Sequence, residues 1–257
     1  MHTTMHTTKL ATSLLVLFTL VLIAPPARAE TVNCTAITTL PAVITVQGVY
    51  CFTDNLSTAM TSGIAIQINT NNVILDLNGF KLGGLAAGTG TTAFGIRANN
   101  RQNITIKNGT IRGFFKGIFL DSSGAFQGHV VEAIRADQNT LIGIEVFGSG
   151  NIVRNNQVVA TGGTTCCGPD VNATGIFLQG AGPRVLNNDV ITVMKQGTGI
   201  AWGILLSEVT GGLAVNNRIT NAERGIDFGA STGKYRDNVT FDVTTPFTGG
   251  TDIGNNN

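Results

Sequence analysis

Apolar and polar residues alternate with a period of two in short runs along this chain, and seven of these runs open on the dipeptide Gly-Ile, at Gly63, Gly95, Gly117, Gly143, Gly175, Gly203 and Gly225. The intervals are 32, 22, 26, 32, 28 and 22 residues, an imperfect repeat whose shortest unit is 22. Runs such as Ile104-Thr105-Ile106 and Val190-Ile191-Thr192-Val193 are β-branched and predict strands; beyond residue 30 no stretch carries the 3.6-residue period of a helical-hairpin solenoid. Each unit is too thin to bury its own apolar face and must stack on its neighbours, which predicts seven or eight coils of parallel strands.

Alternation places Ile64 and Ile66, Ile96 and Ala98, Ile118 and Leu120, Ile144 and Val146, Ile176 and Leu178, Ile204 and Leu206, and Ile226 and Phe228 in the interior. A second strand follows in each unit and ends on Asn, as in Val153-Arg154-Asn155-Asn156, Val185-Leu186-Asn187-Asn188 and Leu213-Ala214-Val215-Asn216-Asn217. Asn and Gly tolerate the left-handed backbone of a sharp corner, and stacked Asn side chains can bond from coil to coil, so these positions predict corner ladders. A crossover between parallel strands is right-handed. The "NNVILDLNG", "NITIKNGTIRGF" and "GIxL" phrases, over about Asn71 to Val243, resemble the right-handed parallel β-helix proteins of the pectin-lyase-like superfamily. That resemblance implies an all-β, right-handed parallel β-helix. It leaves the chemistry open among polysaccharide lyases, glycoside hydrolases, sugar epimerases, tailspikes and periplasmic accessory proteins. The Gly-His-Gly of polygalacturonases, the Arg-x-Pro-x-x-Arg of pectate lyases and the Asp-Pro-His of alginate epimerases are not found; the nearest phrase is Gly128-His129-Val130.

The segments that lengthen the repeat, Gly83 to Phe94, Thr161 to Thr174 and Met194 to Trp202, each precede a Gly-Ile strand. They should gather at one corner and wall the outward face of the Gly-Ile sheet. Alternation gives that face two columns. One is Ala65, Arg97, Phe119, Glu145, Phe177, Leu205 and Asp227; the other is Gln67, Asn99, Asp121, Phe147, Gln179, Ser207 and Gly229. Aromatic faces beside carboxylates suit sugar rings. Arg97, Asn99, Phe119, Phe147, Phe177, Gln179 and Asp227 are therefore candidate substrate-binding residues, and Asp121 with Glu145 a candidate catalytic acid and base. Coil spacing puts that carboxylate pair about 8 Å apart on a diagonal, within the range that inverting glycosidases use. The same residues would serve equally as cross-strand partners with no ligand. His129, lacking a nucleophile or metal ligands nearby, is expected at the surface or at a corner.

Leu10 to Ile23 is an apolar run of 14 residues followed by Ala27-Arg28-Ala29, the pattern of a secretory signal peptide cleaved near Ala29 and too short to span a bilayer. The expected organisation is a signal peptide over 1–29, an N-terminal cap over 30–62, β-helix repeats over 63–243 and a shielding tail over 244–257. The product would be secreted or periplasmic. Without Lys9 and Arg28 the 16 basic residues become 14 against 15 acidic, a balance that argues against nucleic acid as partner. Four cysteines in an exported chain predict two disulfides with three possible pairings. Cys34 with Cys51 would staple the cap, and the adjacent Cys166 and Cys167 could bond to each other. No metal or cofactor is expected: no dense aspartate cluster supports calcium, and His129, Met60 and Met194 are too dispersed for copper. Six Asn-x-Ser/Thr triplets fit chance in so Asn- and Thr-rich a chain. The expected function is binding of an extracellular polysaccharide, with its cleavage, as a glycoside hydrolase or a polysaccharide lyase, left open; the alternative is a non-catalytic structural or adhesive solenoid.

Overall fold

Every pairing between strands of the described residues is parallel; one isolated antiparallel bridge, Val171 with Gln196, lies in the loops. A computed structural model describes residues 33–122 and 128–257, so the expected signal peptide lies outside the described residues. Three sheets run along a prism. The first contains Ala42–Ile44, Ile64–Ile68, Phe94–Asn99, Lys116–Asp121, Ile142–Val146, Ala173–Ala181 and Ala201–Thr210, then the last part of Arg218–Asp227 and of Val239–Thr248. The second runs from Gly48–Phe52 through Val73–Asp76 to Thr251–Asp252, and the third begins at Leu56–Ser57 and Lys81–Gly83. Several strands, such as Ile104–Arg112, pass through a corner and serve two sheets. The result is an all-β right-handed parallel solenoid of about eight turns.

Solenoid pairing extends beyond the expected 63–243 span on both sides. Within the supposed cap, Ala42–Ile44 pairs with Ile64–Ile68 and Gly48–Phe52 with Val73–Asp76, forming a first turn whose short strands carry no Gly-Ile signature. Cys34 is bonded to Cys51 and joins Thr35–Ile37 to that turn. Within the supposed tail, Pro246 lies in Val239–Thr248, the last strand of the first sheet, opposite Gly225, and Asn256 and Asn257 bond back to residues 238 and 240.

Inward residues pack as expected in six of the seven copies, with Ile96, Ile118, Ile144, Ile176, Ile204 and Ile226 essentially inaccessible to solvent. The first copy is shifted by two residues: Ile66 pairs with Ile96 and Gln67 with Arg97, so Gln67 rather than Ala65 stands in the outward column. The glycines explain the shift. Gly63 is a turn residue with φ +92, whereas the other six lie within the sheet. A Cβ on Gly95, Gly117, Gly143, Gly175 or Gly203 would stand 2.5 to 2.9 Å from the carbonyl oxygen of the next glycine in the series.

The predicted Asn ladder is present at the corner between the second and third sheets. In Asn155-Asn156, Asn187-Asn188 and Asn216-Asn217 the first residue has φ near +55 and the second is buried. Nδ2 of Asn156, Asn188, Asn217 and Asn238 each donates at 3.0 Å to Oδ1 of the next rung, ending at Asn256. Those same Oδ1 atoms accept the backbone N–H groups of Asn156, Asn188, Asn217 and Asn238. Asn238, one of the glycosylation triplets, is thus sealed inside the fold.

Candidate glycan-binding face

The outward face of the first sheet holds more than two columns. Each strand glycine breaks the period-2 alternation as a bulge does, so the residue before it also points outward. Phe94 stacks on Phe119 with centroids 5.8 Å apart, Lys116 reaches Glu145, and Trp202 reaches Asp227. This third column of Phe94, Lys116, Ile142, Thr174, Trp202 and Arg224 was missed by strict alternation. The residue preceding each Gly-Ile was its signal.

Aromatic rings then form a continuous row across four coils, stepping sideways from Phe94 to Phe147 and back at Phe177. Phe119 meets Phe147 edge-on at 5.8 Å and Phe147 meets Phe177 at 5.1 Å, continuing the Phe94–Phe119 stack. Of the expected substrate-binding set, Asn99 is exposed, while Arg97, Phe147, Phe177 and Gln179 are half-buried. Phe119 is 8% exposed.

The carboxylates differ sharply. Glu145 is 3% exposed and its Oε2 lies 2.5 Å from Lys116 Nζ, which itself sits 4.3 Å from the Phe119 centroid. Burial raises the Glu145 pKa; Lys116 opposes the shift through charge and a hydrogen bond, and the Asp121 charge reinforces it. Pairing of Phe119 with Glu145 and of Asp121 with Asn99 sets Asp121 on the expected diagonal, one coil away and half-buried. Asp227 is 2% exposed and fully engaged: it accepts from Trp202 Nε1 at 3.0 Å, from Arg224 at 2.7 Å and from the Gly229 N–H at 2.7 Å. Its contribution to the face is to fix Trp202 and Arg224. Beside them a pocket of about 480 Å³ opens between Leu205, Ser207, Glu208 and Ser231.

The three insertions share one corner. Thr165 N donates to Thr89 O, Val171 and Gln196 exchange backbone bonds, and the side chains of Asp170 and Asn172 accept from Thr198 N and Ile200 N. Cys166 and Cys167 are bonded to each other in the middle loop. His129 is buried at another corner, where Nδ1 accepts the Ile104 N–H and the His129 backbone N–H donates to Asn151 Oδ1. Among the described residues no group of three or more His, Cys, Asp or Glu is placed to hold a metal ion, and no helix is long and apolar enough to cross a membrane.

The family described as the right handed beta helix region matches residues 94–245, more than half of the sequence. The chain belongs to the right-handed β-helix family. No curated protein matches the sequence of this β-helix protein. Among solved structures, the Dettilon tailspike protein superimposes with a TM-score of 0.55 and 16% identity over 81% of this chain and 47% of its own. Pectate lyase Pel9A gives 0.48 and 12% over 88% and 67%, and the enzymatically active domain of bacteriophage CBA120 tailspike protein 2 gives 0.47 and 12% over 82% and 39%. This β-helix chain therefore spans about half of the first tailspike's length, and at such identities the likeness is one of fold.

Proposed function

We infer that this β-helix protein binds a polysaccharide along the outward face of its first sheet. The observation that carries the inference is the row of Phe94, Phe119, Phe147 and Phe177 over four successive coils, in which Phe94, Phe147 and Phe177 are half-buried and Phe119 packs among its neighbours, flanked by Asn99, Gln179 and the Trp202–Asp227–Arg224 cluster. Sugar rings stack apolar faces on aromatic side chains while their hydroxyls bond to amides and acids, and a row repeating once per coil suits a polymer. An exported location fits the leader pattern and the two disulfides.

Cleavage is a second proposal, motivated by the raised pKa of Glu145 beside the Asp121 charge. Burial and the Asp121 charge favour the protonated form that a general acid needs, the Lys116 pair opposes it, and a second carboxylate would activate water. Release of Glu145 from Lys116 on substrate binding would be required. Affinity electrophoresis of the full chain through gels holding polygalacturonate, alginate or dextran, with parallel assays for reducing ends and unsaturated products, tests both proposals. Retardation supports binding, and unretarded migration in every gel contradicts it. Reducing ends that vanish in Asp121→Asn and Glu145→Gln support hydrolysis; full activity in both variants removes it.

A further inference from the structure

The charges of this face are unevenly satisfied. Lys116 is committed to Glu145, and Arg224 to Asp227. Among the described residues Arg97 enters no ion pair, and its Nε is closed to solvent without a hydrogen-bond partner. Its guanidinium carbon instead sits 5.0 Å from the Phe94 centroid and 5.4 Å from that of Phe119. The column neighbours Gln67 and Phe119 bring no negative charge, and Asp121, one coil on and two residues along, forms no ion pair with Arg97. Rings on this cation strip part of its hydration and fix its direction without neutralising it. A half-buried cation so held is preorganised for an anion presented from outside.

Resting on the glycan proposal above, we propose that the polysaccharide bound by this face carries an anionic substituent, a carboxylate or a sulfate ester, seated on the guanidinium of Arg97. Phe94 and Phe119 hold the fork in place, and neighbouring sugar rings continue along the Phe147 and Phe177 rows. A neutral glycan would leave Arg97 covered and uncompensated, which disfavours it.

The test compares matched polymers on the full chain: polygalacturonate against its carboxyl-reduced form, and dextran sulfate against dextran. A bidentate contact to an anion is expected to favour the charged member of a pair about ten-fold or more. The pair that shows the preference tells carboxylate from sulfate. Arg97→Gln should bring the two affinities to within about two-fold, and Arg97→Lys should fall between because an ammonium offers no fork. Equal binding of charged and neutral members by the unmodified protein overturns the anion proposal and leaves the glycan proposal standing. A charge preference that survives in Arg97→Gln overturns the assignment to Arg97, and binding to none of the four polymers overturns both.

Discussion

Six strand glycines and one histidine show how closely single positions are constrained in this fold. At Gly143 an added Cβ would lie 2.7 Å from both the Gly175 carbonyl oxygen and a Val158 methyl, and the coils cannot part locally to admit it. Gly143→Ala is expected to cost roughly 2 to 4 kcal/mol. Gly150→Ala, with φ +73 but nothing within 4 Å, should cost only about 1 kcal/mol. Thermal melts of the two variants make the comparison. His129 bears on acid stability. Burial lowers its pKa from 6.5 to about 4, so the fold holds the neutral ring. Its contribution is complete above pH 6.5 and is lost as the pH falls toward 4, by up to about 3 kcal/mol. His129→Asn copies the Asn151 rung, keeps an acceptor for the Ile104 N–H, and should flatten the melting temperature across that pH range; an unchanged slope would show that the titrating group lies elsewhere.

Strands and corners were largely legible because period 2, β-branching and Asn pairs each have one economical structural meaning. The ladder makes the clearest case: the Asn-Asn dipeptides announce a left-handed residue followed by a buried rung. Asn188→Ala would orphan the Asn156 amide and remove a partner from Asn217 and from the Val153 carbonyl. A loss of about 2 to 4 kcal/mol is expected, with amide exchange quickened first at residue 156, whose N–H loses the Asn188 oxygen. What the sequence obscured was the bulge at each strand glycine. Alternation counted from Ile118 assigns Lys116 to the interior, and only the crowding between coils turns it outward to Glu145. Gly63 looks identical to the other six in sequence and differs only in φ, which no local pattern reports.

At the scale of the whole molecule, the turns accumulate stability by stacking, so the ends are the places to lose it. The Cys34–Cys51 bond closes a separation of 17 residues at the first turn. Replacing both cysteines by serine should cost about 3 kcal/mol and fray the amino-terminal turn before the centre, as seen by hydrogen exchange. The family was legible from the repeat alone, whereas the ligand depends on side chains whose neighbours are set by coil stacking: Arg97 is unremarkable in sequence and becomes distinctive only between Phe94 and Phe119. Trp202, the only tryptophan in the chain, sits on the candidate face with Nε1 bonded to Asp227 and so reports on that face. The most direct measurement is its fluorescence during titration with a polysaccharide that retards the protein in affinity gels. A saturable change with the midpoint seen in the gels, weakened about ten-fold by Phe147→Ala, is the expected result. Retardation with unchanged Trp202 emission and undiminished binding by Phe147→Ala would place the ligand elsewhere and contradict the assignment of this face.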